Sequence, residues 1–197
     1  MLRAEGPHFC AGFDMTGALG HGQGELLLRM VRIEQLLQRL RRAPFLTVAC
    51  VNGKGVGAGA DLVAACTHRI VEQATTLRFP GLRFGVCLGT RHLAALVGVA
   101  QARAVLLNAH EVDADEAARI GLAAAVVDRD RQLAVARELV DATRHLDTTS
   151  LAAALALLDT GSDEADAADM AALVGSVARP GLVERLGRYL DRPPARR

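Results

Sequence analysis

A glycine-rich segment between a strand and a helix limits the possible folds of this chain more than any other feature. Residues 45–51 are mostly apolar and predict a buried strand, and residues 60–66 predict a short buried helix. Between them lies the sequence N-G-K-G-V-G-A-G, residues 52–59, with glycine at every second position from Gly53 onwards. Backbone amides at a helix N-terminus are unpaired and carry partial positive charge, so this segment predicts a binding site for an anion or a polarised oxygen.

Taken alone, the glycine segment also fits a dinucleotide-binding fingerprint. Gly53, Gly55 and Ala58 match G-x-G-x-x-A, and Glu72 ends the next predicted strand. A Rossmann domain needs several further strand–helix units after this point. The predicted strands end near Val127 and helices follow, so the order of elements argues against a Rossmann domain.

The remaining pattern divides the chain into a mixed α/β part and an all-helical end. Further strands are predicted over residues 68–72 and 124–127. Helices are predicted over residues 25–42, over 90–109 with a break near Gly98, from Asp113 to Gly121, from Asp128 or Asp130 to about His145, and over 150–190 with breaks at 161–163 and 180–181. We therefore expect an α/β core over residues 1–145 and a helical segment over residues 146–197.

Charge and cysteine content set expectations about partners and compartment. The formal net charge is +1 with no block of like charge, and no window approaches the roughly 18 apolar residues of a membrane span. We therefore expect neither a nucleic-acid nor a membrane partner. The four cysteines form no C-x-x-C pair and have no histidine at metal-ligand spacing, and the first residues lack the apolar region of a signal peptide. These features predict reduced thiols, no metal site and a cytoplasmic protein.

Five segments, in order, resemble motifs of the crotonase, or enoyl-CoA hydratase/isomerase, family. They are residues 6–15 beside G-x-x-F-C-A-G-x-D-L, 51–62 beside N-G-x-x-x-G-G-G-x-E-L, 80–85 beside P-E-x-x-x-G, 90–93 beside T-x-R-L, and 106–108 with 115–122 beside L-L-T-G and A-x-E-A-x-x-x-G-L-V. The resemblance covers nearly the whole chain. It implies a ClpP/crotonase-like spiral of β-β-α units with a C-terminal helical segment. The family's N-terminal strands have no counterpart before residue 2, so we expect them upstream or absent.

The resemblance also implies a chemistry and the residues that perform it. Reactions of this family pass through an enolate of a CoA thioester, whose oxygen is held by two backbone amides. The resemblance assigns these amides to Phe13 and Ala58. It assigns substrate contacts to Phe13, Asp14, Met15, Thr16, Gly57 and Ala58, with residues 13–16 running beside the adenine end of CoA. Coenzyme A would enter only as part of the substrate, with no separate cofactor. The alternative reading of the glycines is close strand–helix packing.

The acid positions depart from the family pattern. Asp61 stands where the motif has glutamate, and Gly81 follows Pro80 where the second glutamate is expected. Two-carboxylate hydration is therefore in doubt, because a general acid or base typically contributes about 10²–10⁴-fold. Asp61 could also be only a helix-start residue stabilised by the dipole.

Several side chains are candidates to replace the missing acid. They are Cys87, His92, Arg83, His8 and His21. The simpler interpretation is a core residue for Cys87, a helix cap or surface group for His92, and a surface group for Arg83. His8 and His21 flank the first loop, and the sequence does not decide whether they face the pocket.

The resulting hypothesis is an enoyl-CoA hydratase/isomerase-like enzyme that stabilises a thioester enolate, with Asp61 as its only inherited acid or base. One alternative is another thioester reaction of the family, decarboxylation or hydrolysis, which depends less on a second acid. A second alternative, from another class, is a non-catalytic CoA-binding or assembly subunit.

The resemblance further predicts a homo-oligomer, because in this family the C-terminal segment drives trimer formation or covers a neighbouring active site. The Ala- and Leu-rich residues 150–190 carry more apolar surface than one small domain readily covers, and such patches usually mark interfaces. Light scattering should therefore give the mass of a trimer or a hexamer. A folded monomer that persists at low concentration would contradict this expectation.

Overall fold

Two small β-sheets form the frame of the molecule, described by a computed structural model for residues 1–159 and 161–191. Strands β1 (Leu2–Arg3), β2 (Val48–Val51), β4 (His68–Val71) and β7 (Ala125–Val126) form a parallel sheet in the order β1-β2-β4-β7. Strands β3 (Lys54–Val56), β5 (Thr76–Arg78) and β6 (Val112–Asp113) form the second sheet, in which β3 and β5 are parallel and β6 is antiparallel to β5.

Eight α-helices follow or separate these strands in the part of the chain that the structure describes. They are α1 (Gln23–Arg41), α2 (Ala58–Ala65), α3 (Thr90–Asn108), α4 (Ala114–Arg119), α5 (Gln132–Asp141), α6 (Thr148–Leu158), α7 (Asp163–Ala178) and α8 (Leu182–Leu190). Short 3-10 helices lie at Ala18–Gly20 and Gly81–Phe84. None of the helices within the described ranges is long and apolar enough to span a bilayer.

The order of elements repeats a β-β-α unit. Strands β2 and β3 lie in different sheets and are followed by α2, and strands β4 and β5 repeat this arrangement before α3. This is the crotonase-like architecture expected from the motifs. It is not a Rossmann domain, because the glycine segment contains a strand of the second sheet: Gly55 in β3 pairs with Leu77 in β5.

Most of the predicted helices are confirmed. Helix α1 spans nearly the predicted residues, and Gly98 interrupts α3 with a φ of 77°, which only glycine adopts without strain. The Asp113 side chain caps α4 by accepting a hydrogen bond from the Glu116 amide at 2.8 Å. Gly121, which also has a positive φ of 81°, follows this helix.

Three predictions at the level of elements were wrong. The segment 52–59 was expected to be only a loop, but it contains β3 and the start of α2. Strand β5 was not predicted, because its three residues are too few to show an alternation of apolar and polar side chains. The strand is stabilised by its pairing with β3 and β6. Helix α5 begins at Gln132 and ends at Asp141, and neither Asp128 nor Asp130 caps it with a side chain.

The C-terminal helices pack against the first half of the chain. Leu173 on α7 and Leu186 on α8 form one buried cluster with Leu26 and Met30 on α1. Helix α6 differs, because it buries none of its residues and leaves Leu157 and Leu158 exposed. Position 160 and positions 192–197 of the predicted segment 146–197 lie outside the described residues.

Gly59 allows helix α2 to approach the first loop. Its Cα lies directly against the Cys10 carbonyl, and a β-carbon there would also come within 2.8 Å of the Cys10 side chain. Backbone on both sides leaves little room to move. The close contact brings residues 9–13 beside the start of α2.

Replacement of Gly59 by alanine should therefore destabilise the fold by about 1–3 kcal/mol, the usual cost of overpacking. Gly175→Ala is the matched control, because a β-carbon there meets nothing within 4 Å in the middle of α7. It should stabilise the helix by about 0.5–1 kcal/mol. Urea denaturation of both variants measures the difference; a Gly59→Ala protein as stable as the wild type would contradict the close approach.

Candidate active site

One cavity lies between the first loop, the start of α2, the 3-10 helix at Gly81–Phe84, and helix α8. Its volume is about 120 Å³. The residues that line it are Ala11, Phe13, Met15, Met30, Val56, Gly57, Ala58, Asp61, Phe79, Pro80, Gly81, Leu82, Phe84, Val86, Leu88, Thr90, Leu106 and Tyr189. Asp61 is the only charged side chain among them. A single carboxyl group in an apolar cavity is the arrangement expected of a proton-transfer site.

Backbone pairing joins the first loop to the glycine segment. The Phe9 amide donates to the Asn52 carbonyl at 2.8 Å, and the Val56 amide donates to the Cys10 carbonyl at 2.9 Å. The Asn52 side chain also donates to the Gly6 carbonyl at 2.9 Å. Two motifs that are some forty residues apart in sequence therefore run side by side.

Two glycines with left-handed backbone precede the two predicted oxyanion amides. Gly12, with φ of 88°, precedes Phe13, and Gly57, with φ of 55° and ψ of −125°, precedes Ala58. A β-carbon on Gly12 would lie 3.2 Å from the Ala58 nitrogen, so the two segments are in direct contact.

Neither of these amides donates a hydrogen bond to an acceptor within residues 1–159 and 161–191. Phe13 and Ala58 both line the cavity. Two free amides at such a place, one of them at a helix N-terminus, suit an oxygen on which negative charge develops.

Asp61 lies one turn into α2 and is only 4% exposed. Burial, and secondarily the negative charge of Glu34, raise the pKa of Asp61 well above its usual value. Gly89, with φ of 63°, lies against the carboxyl group so closely that any β-carbon there would collide with it. The environment therefore makes the carboxylate a stronger base than an exposed aspartate, and it favours the neutral acid that donates a proton.

Glu34 is a buried acid that the sequence interpretation missed. It lies on α1 at 1% exposure, and its carboxylate accepts a hydrogen bond from the Gln38 amide at 2.9 Å. Burial is the main cause that raises its pKa, with further contributions from Asp169 and Asp166. The signal was available, because Glu34 follows Met30 by one helical turn on the apolar face of α1.

The structure brings most of the predicted site residues together. Phe13, Met15, Gly57, Ala58, Asp61 and Gly81 all line the cavity, whereas Asp14 and Thr16 do not. Asp14 is exposed and accepts a hydrogen bond from the Thr16 amide at 2.8 Å, which lowers its pKa. The Arg29 guanidinium lies 4.5 Å from the centroid of the Phe13 ring, which is a cation–π contact.

None of the candidate replacements for the second acid lines the cavity. Arg83 is exposed and donates to the Asn108 carbonyl, and His21 pairs with Glu25. His8 is exposed, and its ring accepts a hydrogen bond from the Lys54 amide.

The remaining two candidates lie behind the cavity or outside it. Cys87 is half-buried rather than in the core, and its amide donates to the Ser176 hydroxyl at 3.1 Å. His92 is buried at 4% exposure, so the expectation of a cap or surface group was wrong. The position of Gly81 on the cavity wall therefore carries no acid, and no candidate side chain replaces it there.

Comparison with known proteins identifies the family. The family model described as enoyl-CoA hydratase/isomerase matches residues 1–178. A solved structure from Bordetella parapertussis, described as an enoyl-CoA hydratase/isomerase, is 41% identical, superposes with a TM-score of 0.92, and is matched over 98% of this chain and 79% of that chain. The chain therefore belongs to the enoyl-CoA hydratase/isomerase, or crotonase, family.

Relatives within the family carry different activities in their names. An enoyl-CoA isomerase/hydratase from Mycosarcoma maydis is 27% identical over 143 residues, which are 71% of this chain and 52% of that protein. An ethylmalonyl-CoA decarboxylase from Rattus norvegicus is 34% identical over 120 residues, which are 58% of this chain and 40% of that protein. The chain thus spans about half the length of these relatives or less.

The buried carboxyl group predicts a conflict between stability and activity at Asp61. Because the folded-state pKa lies above the unfolded one, ionisation destabilises the fold as the pH rises through the folded-state pKa. Asp61→Asn removes this penalty and should stabilise the protein on the order of 1 kcal/mol at pH values above the folded-state pKa.

The gain should vanish below about pH 4, where the wild-type acid is neutral in both states. Thermal melts across this pH range measure the effect, with the exposed Asp130→Asn as the control. A stability difference that does not change with pH would contradict the raised pKa.

Proposed function

We propose that this chain is an acyl-CoA enzyme that stabilises a thioester enolate on the Phe13 and Ala58 amides and transfers the proton through Asp61 alone. The observation that carries the proposal is that, among residues 1–159 and 161–191, Asp61 is the only charged side chain on the cavity wall. Its raised pKa suits a group that both takes and returns a proton. Isomerisation of an enoyl-CoA needs no second acid, because one group both removes and returns the proton.

In this isomerisation the Asp61 carboxylate removes a proton from C2 of a 3-enoyl-CoA. The electron pair moves to the thioester oxygen and forms a dienolate, whose charge the two amides stabilise. The protonated Asp61 then returns the proton to C4, and the electrons move back to form the 2-enoyl product. The cavity is smaller than the roughly 300–1,000 Å³ of sites for drug-sized ligands, which favours a short acyl group. Coenzyme A takes part only as the carrier within the substrate.

Hydration of a 2-enoyl-CoA is less well supported by the site. It needs a group to position and deprotonate water as well as a group that protonates the carbon. Gly81 contributes only backbone to the cavity wall, and the lining offers Thr90 and Tyr189 as its only side-chain hydroxyl groups. Neither hydroxyl is a strong base near neutral pH.

Decarboxylation is the second candidate, favoured by the likeness to the rat ethylmalonyl-CoA decarboxylase. In this reaction the bond between C2 and the carboxylate breaks, CO₂ leaves, and the electron pair passes to the thioester oxygen. Neutral Asp61 then protonates C2. Bond cleavage itself requires the two amides but no base, so the two candidates depend on Asp61 to different extents.

We further propose that the first loop contacts CoA through Asp14 and Thr16 and that the chain forms a trimer or a hexamer. Contact of the loop at Asp14 and Thr16 with the CoA moiety is supported by the position of these residues beside Phe13 and Met15, which line the cavity. A trimer or hexamer is supported by helix α6, which buries no residue and exposes Leu157 and Leu158. A second copy of the chain would cover this apolar surface.

The reaction is tested by offering the protein a short 3-enoyl-CoA, crotonyl-CoA and a 2-alkylmalonyl-CoA. We expect isomerisation to exceed hydration, and we expect Asp61→Asn to lower isomerisation by about 10²–10⁴-fold, because one group both removes and returns the proton. Decarboxylation that survives in Asp61→Asn would instead favour the second candidate. Calorimetry with acetyl-CoA and NAD should show binding of acetyl-CoA only. Binding of NAD alone would contradict both candidate reactions, since each needs a CoA thioester.

The missing acid is tested by Gly81→Glu, with Gly81→Ala as its matched control. A β-carbon here comes within 2.8 Å of the Val86 carbonyl, so both variants carry the same strain and thermal melts should move equally. Only the glutamate should add hydration of crotonyl-CoA, at most on the order of 10²-fold, because the surrounding residues are not arranged for it. A folded Gly81→Glu protein that binds acetyl-CoA and adds no hydration would contradict the placement of Gly81 at the acid position.

A further inference from the structure

Three potential metal ligands converge behind the cavity. Glu34 on α1, His92 on α3 and Asp169 on α7 place one ligand atom each within 4.8 Å of the other two. These residues come from three helices that are far apart in sequence. None of them lines the cavity at Asp61. They therefore form a separate cluster.

The imidazole of His92 is buried within this cluster without a hydrogen-bond partner among the described residues. Its side chain is buried at 4% exposure, and neither ring nitrogen has a hydrogen-bond partner in the described part of the chain. A buried polar atom left without a partner costs about 1–3 kcal/mol, so such atoms usually contact something.

The charges around the cluster also leave a place for a cation. Glu34 is 1% exposed, and its hydrogen-bond partners are neutral: the Gln38 side-chain amide and the Gly89 backbone. The Arg91 Nε contacts Asp169 from outside at 3.0 Å from both carboxylate oxygens. Arg41 is already paired with Asp159 and Asp166. No cationic side chain of the described residues forms an ion pair with Glu34.

We propose that Glu34, His92 and Asp169 bind one divalent first-row transition-metal ion, for which Zn²⁺ is the best match. One imidazole and two carboxylates are ligands that Zn²⁺ accepts, whereas Mg²⁺ prefers oxygen ligands alone. Metal–ligand bonds of about 2.0–2.2 Å at tetrahedral angles place two ligand atoms about 3.4 Å apart. Side-chain shifts on the order of 1 Å, estimated from that spacing, therefore bring the three groups into contact with an ion.

The cluster has a route to solvent and a clear structural consequence. The Asp169 side chain is 21% exposed, so an ion can enter from the surface. Once bound, the ion joins α1, α3 and the C-terminal helix α7. Gly89, which contacts the Asp61 carboxyl group, lies three residues before His92. A metal at this place therefore fixes the start of α3 behind the active site, where it supports rather than performs the chemistry.

The proposal is tested with protein stripped by a chelator and titrated with ZnCl₂ or MgCl₂ in a calorimeter. We expect one Zn²⁺ per chain and a higher Tm in its presence, because an ion that binds only the folded state stabilises it. Failure of wild-type protein to bind Zn²⁺ overturns the proposal. Preferential binding of Mg²⁺ overturns the assignment of a transition metal.

The ligands are tested by His92→Gln, Glu34→Gln and Asp169→Asn. Even groups that merely support a ligand typically contribute about 10–100-fold to metal affinity, so each loss should weaken Zn²⁺ binding by at least tenfold and reduce the Tm gain. His110→Gln is the matched control, because His110 follows the C-terminal end of α3 and contacts Glu116, whereas His92 lies near the start of that helix. This variant should bind Zn²⁺ as the wild type does. Asp169 is partly exposed, so Asp169→Asn decides the test if the buried variants unfold. Zn²⁺ binding that survives in a folded ligand variant overturns the assignment.

Discussion

The backbone pairing of residues 9–10 with strand β3 is the interaction on which the rest of the site depends. It fixes the first loop against the glycine segment through hydrogen bonds from Phe9 to Asn52 and from Val56 to Cys10. Gly12 then meets Ala58, and Gly59 meets Cys10, at distances that no larger residue tolerates. Two free amides are thereby held in place by backbone contacts alone, so their geometry does not depend on any single side chain.

The buried acids show what such a site costs the fold. Asp61 and Glu34 are both nearly inaccessible, and burial is the main cause that raises the pKa of each. Like charge adds to the effect, from Glu34 at Asp61 and from Asp169 and Asp166 at Glu34. A structure optimised for stability would place apolar residues here, as on the remainder of the apolar face of α1. The penalty at Asp61 is understandable if its proton is needed. Glu34 lies behind the cavity and requires another explanation, which a bound cation supplies.

The C-terminal helices contribute directly to the site. Helix α8 places Tyr189 on the cavity wall, and the Phe84 ring, 5.0 Å from that of Tyr189, lines the cavity too. Helix α7 brings Asp169 to Glu34 and His92. Helices α7 and α8 are thus part of the same packed unit as the first helix, and α8 closes one side of the site. Helix α6 alone leaves its apolar face uncovered.

The sequence by itself determined the family and six of the cavity residues, because these depend on local motifs and on glycines whose backbone angles no other residue adopts easily. The β-β-α order came only as what the resemblance to the family implied. It did not reveal strand β5, because so short a strand exists only through its neighbours. It did not reveal the burial of His92 or the role of Glu34, because both depend on which helix faces which. Only the tertiary structure could bring Glu34, His92 and Asp169 together from three separate helices, since the packing of helix faces is decided by contacts that no local pattern records.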